Sequence, residues 1–155
     1  MNPTLHKILA PVDFSPASPL SLSYAAELAR GFGGTVHVIH AWEAPVYLRP
    51  DLTVWSGEVS ATLGDQIRHA AEQAMREFLT KMALDANPAF TSEIIQGTPY
   101  KTILTAAEQG KFDILVMGTH GRTGLSHALL GSVAEKVVRH APCPVLTVRA
   151  PAADQ

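Results

Sequence analysis

Four consecutive apolar residues, Ile114 to Met117, end abruptly at Gly118. A strand without polar alternation has both faces against other parts of the protein, the signature of a parallel sheet covered by helices on each side. The stretch Phe112–Met117 is therefore expected to be a central strand, and the rest of the chain must supply the cover. Short apolar runs at Leu5–Val12, Thr35–Trp42, Phe90–Ile95 and Pro144–Arg149 read as four more strands. Helical patterns at 16–32, about 58–86, 99–110 and 132–140 separate them. Five strands alternating with four helices predict an α/β domain: a doubly wound five-stranded parallel sheet in the order 3-2-1-4-5, with helices on both faces.

The helix boundaries rest on local signals. Ser15-Pro16 reads as an N-cap followed by proline in the first turn, and Thr98-Pro99 repeats the device. Leu20, Tyr24, Leu28 and Phe32 recur every four residues and mark an apolar stripe on the first helix, which Gly31, Gly33 and Gly34 stop. Val59, Leu63, Ile67, Ala70, Ala74, Phe78 and Met82 mark the long second helix, broken at Asn87-Pro88. Residues 43–57, with Tyr47 and Trp55, read as irregular.

In a sheet of this order strands 1 and 4 lie side by side where the winding reverses, and ligands bind beyond the carboxyl ends of the strands at that point. Pro11-Val12-Asp13 follows strand 1 and Met117-Gly118-Thr119-His120-Gly121 follows strand 4. Gly118, Gly121 and Gly131-Ser132 form the spacing G-x2-G-x9-G-S, a glycine loop that ends at a helix start. Glycines admit close approach to the backbone, and a helix N-terminus offers unpaired N–H groups to an anion. The combination points to a phosphate cradle, although glycines at strand ends also serve as plain turns. Two readings stand for Ser132: a phosphate contact, or a capping box with Glu135 (S-x-x-E). Asp13 either caps the first helix or addresses ribose hydroxyls or a divalent cation. His120 and Arg122 either screen phosphate charge or are solvated.

The 155 residues suit one domain, expected over 1–150, with a fraying tail at 151–155. A formal charge of −2 and the lack of basic runs argue against nucleic acid as a partner. No apolar stretch approaches the roughly 18 residues of a membrane span. The N-terminus lacks a signal-peptide pattern. The single cysteine, Cys143, fits a structural thiol in a reducing cytoplasm. His37 and His40 fall on opposite faces of strand 2 and cannot share a metal. The Walker A string, the G-x-G-x-x-G string and the G-x-S-x-G elbow are all missing. Without a P-loop lysine, fast phosphoryl transfer is not expected.

The chain resembles the universal stress protein family in its ATP-binding branch. HKILAPVDFS, FDILVMGTHGRTGLSHALLGSVAEKVV and HAPCPVLTVR carry the resemblance, with I-L-x-P-V-D and G-x2-G-x9-G-[ST] both intact. It implies an adenine nucleotide alpha hydrolase-like fold, ATP binding with Mg²⁺ or Mn²⁺ bridging the phosphates, a regulatory role in the stress response, and cytoplasmic homodimers paired through Val145–Val148. By the same resemblance the adenine lies near Pro11, Val12 and Ala41, and Asp13 meets the ribose. Met117, Gly118, His120, Gly121 and Arg122 line the sugar and first phosphates, and Gly131, Ser132 and Val133 take the outer phosphates. Ala41 is smaller than the aliphatic residue usual at its position, which implies looser packing of the base. Residues 43–57 are placed to be a lid or a dimer contact. The alternative function is slow ATP hydrolysis, or other nucleotide processing, in the same site with His120, Arg122 and Asp13.

Overall fold

The computed structural model describes residues 5–44, 49, 51–56, 59–83, 88–120 and 130–150. Its elements run β1 (Lys7–Pro11), α1 (Ala17–Phe32), β2 (Thr35–Trp42), β3 (Thr53–Ser56), β4 (Val59–Thr62), α2 (Leu63–Met82), β5 (Ala89–Gln96), α3 (Pro99–Gly110), β6 (Ile114–Gly118), α4 (Ser132–His140) and β7 (Val145–Val148). Five strands form one sheet in the order β5-β2-β1-β6-β7, all pairs parallel. Counting only those five, this is the expected order 3-2-1-4-5.

Each face of the sheet buries its own cluster. On one face Ile8, Ala10, Val36, Val38 and Val116 pack with Leu22, Ala25 and Ala29 of α1 and Met75 of α2. On the other, Leu9, Ile39, Leu115 and Met117 pack with Ile103 and Ala107 of α3 and Ala134 and Val137 of α4. Leu115, Val116 and Met117 of β6 are all buried, which accounts for the unbroken apolar run. No helix of the described residues is long and apolar enough to cross a membrane.

Three local expectations are corrected. First, the helix read from residue 58 begins at Leu63. Val59–Thr62 is instead a strand, paired antiparallel with Thr53–Ser56 in a hairpin. The four-residue spacing of Val59, Leu63 and Ile67 imitates a helix, but Thr62 ends the strand and caps α2. Its Oγ1 accepts from the Asp65 N–H while the Asp65 carboxylate accepts from the Thr62 N–H, a reciprocal box.

Second, of the Leu20–Tyr24–Leu28–Phe32 stripe only Leu20 and Leu28 pack against the core, and they are partly buried there. Tyr24 and Phe32 are half exposed, whereas Ala17, Ser18, Ser21, Leu22, Ala25, Ala26 and Ala29 are buried. Small residues let the helix axis lie close to the strands, and that proximity outweighs side-chain size.

Third, Ser15 does not cap α1. The residue before the helix is Pro16, with no side-chain cap. Gly33, at φ 65°, closes α1 in the left-handed conformation that favours glycine.

Candidate functional site

Strands β1 and β6 are adjacent, and their carboxyl ends open into a cavity of about 290 Å³. Pro11, Val12 and Asp13 come from the end of β1 and Ala41 from β2. Met117, Gly118 and His120 come from the end of β6, and Gly131, Ser132 and Val133 from the start of α4. These ten of the expected residues share one cavity because the sheet order brings both chain ends to the same reversal. Gly121 and Arg122 lie outside the described residues, as does Tyr47. Ser18, Pro99, Ile103, Thr119 and Ala134 also line the cavity. Pro99 and Ile103 were readable in principle: they open the helix after β5 and must lie over the neighbouring strand ends.

The wall divides by chemistry. Pro11, Val12, Ala41, Pro99, Ile103 and Met117 make an apolar part, and Asp13, Ser18, Thr119, His120 and Ser132 a polar part. Such a mixture suits a small molecule with a flat apolar moiety and a charged end.

At the polar end α4 begins at Gly131, whose carbonyl accepts the Glu135 N–H as the first bond of the helix. The N–H groups of Ser132, Val133 and Ala134 precede that bond and have no carbonyl within the helix to pair with. The capping-box reading of Ser132 is overturned: Ser132 is the first helical residue, and the N-cap is Gly131, which has no side chain to cap with. The Glu135 carboxylate turns along the helix to Arg139 instead. Gly131 N–H donates to the Thr119 carbonyl at 2.8 Å, which ties the helix start to the end of β6.

His120 bonds Thr119 Oγ1 through Nδ1 at 2.9 Å. Its Nε2 is buried and has no hydrogen-bond partner among the described residues. A buried polar nitrogen without a partner is costly, and a bound acceptor or donor would relieve it. Asp13 is tied into the turn before α1: its Oδ1 accepts from Ser15 N–H at 3.0 Å and from Ser18 Oγ at 2.9 Å, while Ser18 Oγ accepts the Asp13 N–H. The carboxylate thus shapes the turn as well as lining the cavity.

Gly118 also has a packing role that its motif does not suggest. A Cβ at this position would stand 2.8 Å from the Cβ of Ala17. The space on its side-chain side is filled by α1, while Gly118 itself still lines the cavity.

A larger groove of about 840 Å³ runs between β5 and α3, past His37, Glu93 and Lys101. It is an open surface trough bordered by the start of α3 but set away from the β1/β6 reversal, so the smaller cavity, which lies at that reversal, is the candidate site. Among the described residues no group of three or more His, Cys, Asp or Glu could hold a metal ion.

The sequence model of the universal stress protein family matches residues 4–149. Universal stress protein MJ0531 of Methanocaldococcus jannaschii is 34% identical over 146 residues, covering 94% of this chain and 82% of the relative. The Thermus aquaticus universal stress protein from the QAH/OAS sulfhydrylase 3' region is 35% identical over 143 residues, covering 92% and 97%. Among solved structures, UspA from Lactobacillus plantarum superposes with a TM-score of 0.75 at 26% identity, over 96% of this chain and 100% of that one. A universal stress protein in complex with cAMP has the same fold, at a TM-score of 0.69 and 18% identity, over 95% of this chain and 99% of that one.

Proposed function

The chain belongs to the universal stress protein family, and on that premise we propose that it is an ATP-binding regulatory protein of the cytoplasmic stress response. The observation that carries this reading is the coincidence, in one cavity, of the first-turn amides of α4, a His120 Nε2 without a partner among the described residues, and an apolar wall. Those groups suit a nucleotide: the apolar wall takes the base, and the amides and His120 take phosphate oxygens.

In this reading the adenine lies near Pro11, Val12 and Ala41, with Ile103 beside them, Met117 lines the sugar, and Asp13 faces the ribose. Ser132 and Val133 hold the outer phosphates, and Gly121 and Arg122 complete the loop. Mg²⁺ or Mn²⁺ would be held chiefly by the phosphates themselves and would neutralise their charge beside Asp13. A relative of the same fold has been solved with cAMP, which makes a nucleotide an apt ligand class to test. Asp13 already accepts from Ser15 and Ser18, a role closer to anchoring a turn than to activating water, so binding is proposed in place of hydrolysis.

Dimerisation through β7 belongs to the same proposal. β7 pairs with β6 and is an outer strand of the sheet, with Val145, Leu146 and Thr147 partly exposed. A second copy's β7 would satisfy that edge.

Titration calorimetry of the full chain with ATP tests the reading. Magnesium-dependent binding is expected, weakened by Gly131→Val. No heat with ATP at millimolar concentration, together with no nucleotide in native mass spectra of the purified protein, would overturn it.

A further inference from the structure

His40 lies across the sheet from the cavity, yet it grips the turn that forms the cavity wall. Ala41 faces the cavity, so its neighbour His40 projects from the opposite face of β2, where it is 7% exposed. Its Nδ1 is 2.8 Å from the Val12 carbonyl oxygen. A carbonyl only accepts, so Nδ1 carries the hydrogen and donates it. Val12 N–H in turn donates to the Ile39 carbonyl of the same strand. Both main-chain groups of Val12 are thus held by β2.

Two residues later Phe14 adopts φ 60°. The left-handed region is unfavourable for a bulky residue, and such a conformation persists only where its surroundings over-determine it. His40 is one of those surroundings. The Phe14 ring lies 4.4 Å from the His40 ring, centroid to centroid, and meets Phe78 of α2 edge-on at 5.6 Å. The Asp13 bonds to Ser15 and Ser18 fasten the turn on its other side. The chain therefore sends Phe14 to the α1/α2 face while Val12 and Asp13 stay in the cavity wall.

We infer that His40 is a positioning residue of the nucleotide site. It holds Val12 through its carbonyl and Phe14 through its ring, and so sets where Val12 and Asp13 stand without reaching the ligand. The functional half of this inference rests on the nucleotide reading of the cavity. The conformational half does not.

The test uses His40→Leu, His40→Asn and His40→Gln in the full chain. An asparagine amide nitrogen reaches the position of Nδ1, whereas a glutamine nitrogen reaches only that of Nε2. Each variant is assessed for its melting temperature, its Kd for ATP with magnesium well below that temperature, and the Phe14 φ in a crystal structure. His40→Leu and His40→Gln are expected to weaken binding about tenfold, the equilibrium value of one hydrogen bond, with Phe14 out of the left-handed region. His40→Asn is expected to keep the positive φ and to bind within about threefold of the parent, less than one such bond. Variants that melt earlier but all bind like the parent would overturn the inference. If His40→Leu does not fold, the contrast between Asn and Gln decides. If the parent itself binds no ATP, the nucleotide reading has failed separately, and a positive Phe14 φ in the Gln variant would still refute the clamp.

Discussion

Ala17 of α1 occupies the space that a side chain at Gly118 would need, its Cβ lying 2.8 Å from where a Gly118 Cβ would be. The first glycine of the motif is therefore a helix-packing residue. Gly118→Val is expected to destabilise the protein without nucleotide by about 1–3 kcal/mol, the usual cost of overpacking. Gly118→Ala combined with Ala17→Gly should recover most of what Gly118→Ala alone loses. Urea denaturation of the four proteins in the cycle checks this. Additive losses would show that the two positions do not share the space.

His120 offers the converse case, a residue whose loss should harm binding and spare the fold. Replacing it with asparagine removes the buried Nε2 that has no partner among the described residues, while the asparagine amide stands at the position of Nδ1 and can keep the bond to the Thr119 hydroxyl. Stability without ligand is expected to be unchanged or slightly raised. ATP affinity should fall roughly ten- to a hundredfold, the range for a hydrogen bond to a charged group. Calorimetry and thermal melting on the same preparation separate the two effects, and unchanged affinity would remove His120 from the phosphate site.

The start of α2 gives a pH dependence. The Thr62 hydroxyl, followed by its N–H, holds the Asp65 carboxyl below the ordinary aspartate value of 3.8. A lowered folded-state pKa means that the unfolded chain takes up the proton first as pH falls. The stabilisation is therefore complete above the ordinary value and is lost as pH drops through the lowered one. Asp65→Asn should melt earlier than the parent at neutral pH, and the gap should close on acidification below that range. Thr62→Ala removes the cap at any pH, at a cost of about 1 kcal/mol. A melting difference for Asp65→Asn that is the same at every pH would contradict the charged cap.

Cys143 should be a slow nucleophile. Burial, and next the charge of Asp113, push its thiol above the ordinary value of 9.0. Alkylation with iodoacetamide at neutral pH is expected to run well below the rate of a free cysteine and to rise with pH. Asp113→Asn should speed it modestly. Rapid labelling at neutral pH would show that the thiol is not held protonated.

Much of this fold was legible along the chain, because periodicity records how often a residue is buried. The unalternating run Ile114–Met117 required cover on both faces, and the five runs with their helices led to the sheet order. That order led in turn to the meeting of Pro11–Asp13 with Met117, His120 and Gly131–Val133 in one cavity. The helix Ser132–His140 was readable to the residue.

What a residue faces was a different matter, since one pattern can answer to two neighbours. Gly118 suits a ligand or a helix, and only the packing of α1 shows that Ala17 takes the space. A Leu/Tyr/Phe stripe and an Ala/Ser stripe both run along α1, and closeness to the sheet selected the smaller one. Ser132 could cap or contact, until Gly131 took the N-cap position. His40 carried no signal beyond its place on the other face from His37. Its hold on Val12 and Phe14 joins segments that are distant in the chain. Local sequence encodes the period of burial and the turns between elements. The identity of the atom on the far side of each contact is set only when those elements pack.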